Sequence, residues 1–170
     1  MHGILPFMVV ESPSPDNSQQ TATKATQILE KKPGFRILEK NQRKELVKAF
    51  ISTGKVVYGR AFDVIKISGR GAGSLRLHSE ADFLKHIERI TLCEVKSTRR
   101  DLNKHFDGYF FGLTTAELLV AQTLGDQYGF VLVNTKTEAF LELSLHELLG
   151  RANKIYPVWN ISLRPLKPKV

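Results

Sequence analysis

Asp63, Glu94 and Lys96 are the residues of this 170-residue chain whose types and placing could do hydrolytic chemistry together. Glu94 and Lys96 sit two apart at the end of an apolar run, Ile90, Leu92, Cys93 and Val95, that reads as a central strand. Residues two apart on a strand share a face, so Glu94 and Lys96 point together while Cys93 and Val95 point into the core. A charged pair on such a strand is costly unless it has work or partners. Asp63 lies early in a second strand-like run, 61–67. Two carboxylates and an ammonium at a strand end suit metal-assisted phosphodiester hydrolysis. Asp63 and Glu94 would give Mg²⁺ hard oxygen ligands, with the Val95 carbonyl as a third. The ion would polarise the scissile phosphate and lower the pKa of a bound water. Lys96 would orient that water or stabilise charge on phosphorus. Glu-x-Lys alone says little, since Glu30-Lys31-Lys32 repeats it beside a polar arm. The apolar strand before it and the strand-borne Asp upstream set the 94–96 pair apart.

The elements that must position these residues alternate in type. Residues 41–52 read as a helix, with Asn41 as N-cap and Leu46, Val47, Phe50 and Ile51 as its apolar stripe. Residues 55–58 and 61–67 read as strands, 69–73 as a flexible basic glycine loop, and 74–78 as a further short strand. Ser79 caps a helix over 80–89, with Asp82 in the capping-box position, and the central strand covers 90–96. Thr114 and Glu117 form a capping box for a helix over 116–124 that Gly125 ends. Residues 129–134 read as a strand buried on both faces, and 137–143 as an alternating strand. Ser144 and Glu147 cap a last short helix, and 159–163 is a candidate final strand. The alternation predicts an α/β domain with a mixed central sheet flanked by helices. Residues 11–26 are rich in Ser, Thr, Pro, Gln and Asn, so residues 1–34 read as a disordered arm. The domain is then expected over 35–165, followed by a basic tail at 166–170.

Composition narrows the function. One cysteine excludes a disulfide framework and an all-cysteine zinc site. No run of 18 apolar residues exists to span a membrane, and residues 1–10 lack the basic start of a signal peptide, so a cytoplasmic chain is expected. The net charge of +8 is uneven. Residues 36–104 carry sixteen bases and eight acids, residues 105–150 one base and six acids, and residues 151–170 five bases and no acid. A basic front half and a basic end suit a phosphate-rich partner.

The segments AFDVIKIS, ITLCEVKST and FFGLTTAELLVAQTLGDQYGFVLVN resemble the PD-(D/E)XK nuclease superfamily, closest to its restriction-endonuclease-like branches. In that superfamily an Asp on the second core strand precedes a Glu-x-Lys on the third, and a helix and buried strand follow. The likeness covers about residues 45–143. It implies a restriction-endonuclease-like fold and Mg²⁺-dependent cleavage of double-stranded DNA, with Asp63, Glu94 and Lys96 as the catalytic residues. A homodimer or a larger restriction or repair complex would then make a double-strand cut. The resemblance also implies a Glu on the helix before the first strand, for which Glu45 is the best match. Asp63 and Glu94 are 31 residues apart, so 69–89 must be an insertion, and Asp82 is the rival to Asp63.

Ser97, Thr98, Arg99, Arg100 and Lys104 follow the Glu-x-Lys directly and are candidates to contact phosphates beside the cut. Arg70 and Arg76 flank the glycine loop and are candidates for a groove contact. His78, His86, His105 and His146 share no metal-ligand spacing, and Glu117 is explained as a helix cap. Tyr156 and Trp159 near the basic end could stack on bases.

Overall fold

The computed structural model describes residues 15–156. Its first helix, α1 (Pro15–Glu30), leads to a short strand β1 (Phe35–Arg36) and a second helix α2 (Lys40–Ser52). Strand β2 (Val64–Ile67), helix α3 (Glu80–His86) and the long strand β3 (Ile90–Thr98) follow. Helix α4 (Thr115–Leu124) crosses to β4 (Tyr128–Asn134), β5 (Phe140–Leu143) and a closing helix α5 (Leu145–Gly150). The five strands form one sheet in chain order. The β3–β4 pair is parallel and every other pair antiparallel. The protein is therefore a mixed α/β sheet flanked by helices, as the sequence predicts.

Each face of the sheet has its own core, set by the alternation of side chains along β3 and β4. Leu92, Phe130 and Leu132 face α2, α3, α4 and α5 and pack with Leu46, Phe50, Phe83, Val120, Ala121, Leu124 and Leu148. Cys93, Val95, Val131 and Val133 face the other way and pack on Ala25, Ile28 and Leu29 of α1. These three lie at helical spacing and are almost fully buried.

The expectation of a disordered arm over 1–34 is corrected for Pro15–Glu30, which form α1; residues 1–14 lie outside the described residues. Its polar composition describes the solvent side of α1, while Ala25, Ile28 and Leu29 cover apolar sheet surface that would otherwise face water. Gly34 ends this segment at φ 84°, where a Cβ would stand 2.7 Å from the Ile67 carbonyl oxygen.

Other boundaries move for local reasons. Glu39, not Asn41, caps α2, and its N–H donates to Gln42 Oε1 at 3.0 Å. Residues 55–58 are not a strand, because Gly54 at φ 78° turns the chain back onto α2. Residues 74–78 are not one either. The Ala72 and Leu75 carbonyls accept from the Arg36 guanidinium, and the Leu77 carbonyl from Gln42. The capping boxes at Ser79, Thr114 and Ser144 form as read from the sequence. The candidate strand at 159–163 and the tail at 166–170 lie outside the described residues. No helix among the described residues is long and apolar enough to cross a membrane.

The two-faced core makes α1 a structural element. Deleting residues 1–34 exposes the Val64, Cys93, Val95, Val131 and Val133 surface and is expected to abolish cooperative thermal unfolding. Leu29→Ala, at a fully buried site, is expected to cost about 2–4 kcal/mol in chemical denaturation. A truncated protein that melts like the full chain would show that α1 does not hold the sheet.

Candidate active site

The ladder between β2 and β3 stops at Val64, which pairs with Cys93. Asp63 carries it one step further. Its backbone N–H donates to the Cys93 carbonyl at 2.8 Å, and its Oδ2 accepts the Val95 N–H at 2.8 Å. Successive carbonyls on a strand point to opposite sides. The Cys93 carbonyl faces β2, and the Thr98 carbonyl faces the β4 side, where it accepts the Thr135 N–H. The Val95 carbonyl therefore faces the β2 side as well, beyond the last paired residue of β2 and next to the Asp63 carboxylate.

Arg43 on α2 fixes the approach to Asp63. Its guanidinium donates to the carbonyls of Gly59 at 3.0 Å, Phe62 at 2.5 Å and Asp63 at 2.8 Å. It also lies 4.2 Å from the centre of the Phe62 ring. The Tyr128 hydroxyl donates to the Ala61 carbonyl, so the turn before Asp63 is tied to both α2 and β4.

On the same face of β3, the Lys96 ammonium donates to Glu94 Oε1 at 2.9 Å and to Glu117 Oε2 at 2.8 Å. Glu117 Oε2 also accepts the Thr114 N–H at 3.1 Å, so the residue that caps α4 is at once the second partner of Lys96. All three side chains are largely buried, at 13% exposure for Lys96, 10% for Glu94 and 7% for Glu117. Two carboxylates around one ammonium, with Asp63 nearby, cannot all carry charge in so dry a place.

Burial, and then the charge of Asp63, push the Glu94 carboxyl up to about 8, against the pull of Lys96. Burial also raises Asp63, opposed by the Val95 N–H, Lys96 and Arg43. Burial acts on Glu117 in the same direction but is outweighed by hydrogen bonds from Lys96, Thr114 and Glu94, which leave it below the usual range. Lys96 is raised, because its two carboxylates overcome its burial. Burial thus favours the neutral form of Glu94, while hydrogen bonds and opposite charges favour the charged forms of Glu117 and Lys96.

The structure places Asp63 on the Val95 N–H and Lys96 against Glu94, on the same stretch of β3. It does not bring Glu45 to them. That residue pairs with Lys48 at 2.6 Å and accepts the Glu80 N–H at 3.2 Å. It is two positions, about 200°, round α2 from Arg43, which faces the site. Nor does α2 precede the first strand, because β1 and α1 come before it. Asp82 is no rival to Asp63: it closes the Ser79 capping box. The 69–89 segment is the connection from β2 to β3, and it leaves the sheet beside the Ile67–Ile90 pair, at the far end from Asp63. Arg70 is held there by Arg89, which donates to its carbonyl at 2.9 Å. Arg76 is exposed on the return of this connection and makes no hydrogen bond or ion pair with the triad.

Past Lys96, the Ser97 carbonyl accepts the Tyr109 hydroxyl at 2.6 Å. Thr98 is buried, and its Oγ1 accepts the Arg100 N–H at 3.1 Å, so it holds the turn instead of facing a ligand. Arg99, Arg100 and Lys104 are exposed. Tyr156 is exposed with its ring 6.2 Å from that of Phe110, and Trp159 lies outside the described residues.

Sequence reasoning missed Arg43 and Glu117, and the same signal could have found both. Each heads a buried stripe: Arg43 lies at helical spacing from Leu46, Val47 and Phe50, and Glu117 from Val120, Ala121 and Leu124. A charged residue on the apolar side of a helix is a buried charge and needs a partner.

A metal centre here would draw on two carboxylates and a backbone carbonyl. Among the described residues, no group of three or more His, Cys, Asp or Glu side chains is placed to hold a metal ion. The oxygens of Asp63, Glu94 and Val95 are hard donors of the kind Mg²⁺ takes while keeping several waters.

The raised Glu94 pKa links stability to pH. Between about pH 5 and 8 the unfolded chain has lost a proton that folded Glu94 keeps, so the folded state loses stability as pH rises through this window. Below it both states hold the proton, and the effect vanishes. In the presence of chelator, Glu94→Gln is expected to match the native protein near pH 5. At pH 8 it should be the more stable by on the order of 2 kcal/mol in chemical denaturation. A constant difference across the range would show that Glu94 is ionised throughout.

Comparison with protein-family models, with characterised proteins and with solved structures gives no match. What this cluster does is carried by its own geometry.

Proposed function

We propose that this chain is a metal-dependent endonuclease that hydrolyses phosphodiester bonds in DNA, on a restriction-endonuclease-like version of the mixed sheet. The observation that carries this reading is the Asp63 carboxylate held on the Val95 N–H at one strand end, with the Lys96 ammonium bound to Glu94 and Glu117 on the same stretch of β3. The strand arrangement supports it: an antiparallel β1–β2–β3 meander followed by a helical crossover to a parallel β4.

Asp63, Glu94 and Val95 would hold Mg²⁺, which supplies Lewis acidity and a bound water of lowered pKa. The chain's own residues do the rest. Arg43 and Tyr128 fix the turn that presents Asp63. Glu117 holds the Lys96 ammonium beside Glu94, where it can orient a water or stabilise charge on a phosphate. The buried setting strengthens each of these interactions relative to open water. A double-strand cut needs two such sites, met by a homodimer or a larger assembly.

A second reading is a nuclease-fold module that binds nucleic acid or a protein without cutting. It draws on the ion pairs that occupy Glu94 and on the lack of a three-carboxylate group among the described residues. Plasmid cleavage separates the two. Nicking or linearisation with Mg²⁺ is expected, with complete loss in chelator and a loss of at least 100-fold in Lys96→Ala. Cutting that survives Lys96→Ala would sink the mechanism. Failure of the native protein to cut any DNA while still binding it would establish the second reading.

A further inference from the structure

The loop after β3 meets α1 on the sheet face opposite the carboxylate cluster. There, Gln20, Thr21 and Lys24 of α1 and Arg99 and Thr135 of the strand-end loops line a groove of about 170 Å³. Its lining contains no carboxylate. Gln20 and Lys24 are one helical turn apart and so lie on one side of α1. Lys24 and Arg99 are both exposed, and neither pairs with an acid among the described residues. By contrast Lys48, Lys66, Lys96, Lys136 and Arg151 each have an acidic partner.

The walls are preorganised. Ala25, next to Lys24, is fully buried and anchors this part of α1 on the sheet. The backbone on either side of Arg99 is stitched in place. Thr98 Oγ1 accepts the Arg100 N–H at 3.1 Å, Asn134 Nδ2 donates to the Arg100 carbonyl at 2.9 Å, and the Thr135 N–H donates to the Thr98 carbonyl at 2.8 Å. A groove with a fork-shaped guanidinium on one side and an ammonium on the other is built to receive an anion with several acceptor oxygens. Its volume suits a single phosphate group and falls below the ~300 Å³ at which small-molecule pockets begin.

We infer that this groove binds one backbone phosphate of the DNA, between Lys24 and Arg99, and so extends the binding face from the carboxylate cluster round the strand end onto α1. This rests on the endonuclease reading and adds an anchor that the cluster does not supply. The groove and the cluster flank the same end of β3 on opposite faces of the sheet, so a duplex laid across that end would meet both.

The test is fluorescence anisotropy of a labelled 20-base-pair duplex with the full chain in chelator, so that no cutting occurs, from 50 to 200 mM salt. The double variant Lys24→Gln/Arg99→Gln is compared with the native protein and with Lys48→Gln, whose site on α2 is elsewhere. Each variant is first checked for an unchanged melting temperature. The double variant is expected to bind about tenfold more weakly at the low-salt end. Its slope of log affinity against log salt should be shallower by about 0.9, the change expected when one phosphate is no longer neutralised. Lys48→Gln is expected to keep the native slope. A double variant with the native slope would overturn the groove and leave the endonuclease reading standing. A native protein that binds no duplex at all would overturn both.

Discussion

Lys96 stands between two buried carboxylates, and the rest of the structure follows from what that arrangement demands. An ammonium and two carboxyls on the inner face of a sheet are tolerable only when each finds a partner and when the total charge is small. Glu117 supplies the partner from α4, and burial favours the neutral form of Glu94, which reduces the charge. Removing Lys96 or Glu117 would leave a buried charge without its partner. Stability is therefore not the reason for the cluster. Apolar residues of similar size would serve packing at least as well.

The fold meets this demand by stopping one strand early. Because β2 begins at Val64, the Val95 N–H has no backbone acceptor on that side, and the Asp63 side chain takes the position instead. The same shortfall leaves the Val95 carbonyl directed at the space beside Asp63. One truncated ladder thus creates an aligned carboxylate and a directed carbonyl. Arg43 makes the truncation hold its shape by gathering the carbonyls of Gly59, Phe62 and Asp63. Burial lowers the pKa of its guanidinium against the pull of Asp63 and Glu94, yet an arginine keeps its charge in such a setting. On the opposite face, α1 covers Cys93 and Val95, and burial pushes the Cys93 thiol up to about 12, which makes it an inert core residue.

Much of this is legible in the sequence, and what is not has definite physical causes. The period-2 pattern of 90–96 locates β3 and places Glu94 and Lys96 on one face, because strand alternation is a strictly local property. The capping boxes are legible for the same reason. The helix α1 is not, because a polar composition outweighs three buried positions, and only the apolar residues across the sheet reveal what those positions are for. Placing Cys93 and Val95 in a core already implies a cover on their side. Segments 55–58 and 74–78 have the apolar content of strands, but no neighbour is in place to pair with them. Glu45 matches a family pattern, whereas the helical phase of α2 points Arg43 at the site. Glu117 is hidden by a good explanation: a capping glutamate needs no further role, yet its Oε2 has room for a second donor.

The charge pattern changes meaning in the same way. The basic excess of residues 36–104 does not surround the cluster evenly, since Arg70 is at the far end of the sheet while Arg99, Arg100 and Lys104 lie just past Lys96. Under the proposed function the Asp63–Glu94–Val95 corner would accept a divalent cation, and the raised pKa of Glu94 makes a proton the group it would give up. Isothermal titration of Mg²⁺ into the chain at pH 7, in two buffers of different ionisation enthalpy, measures this directly. The expected result is saturable binding with release of about one proton, abolished in Asp63→Asn. No saturable heat, or binding that releases no proton, would contradict it.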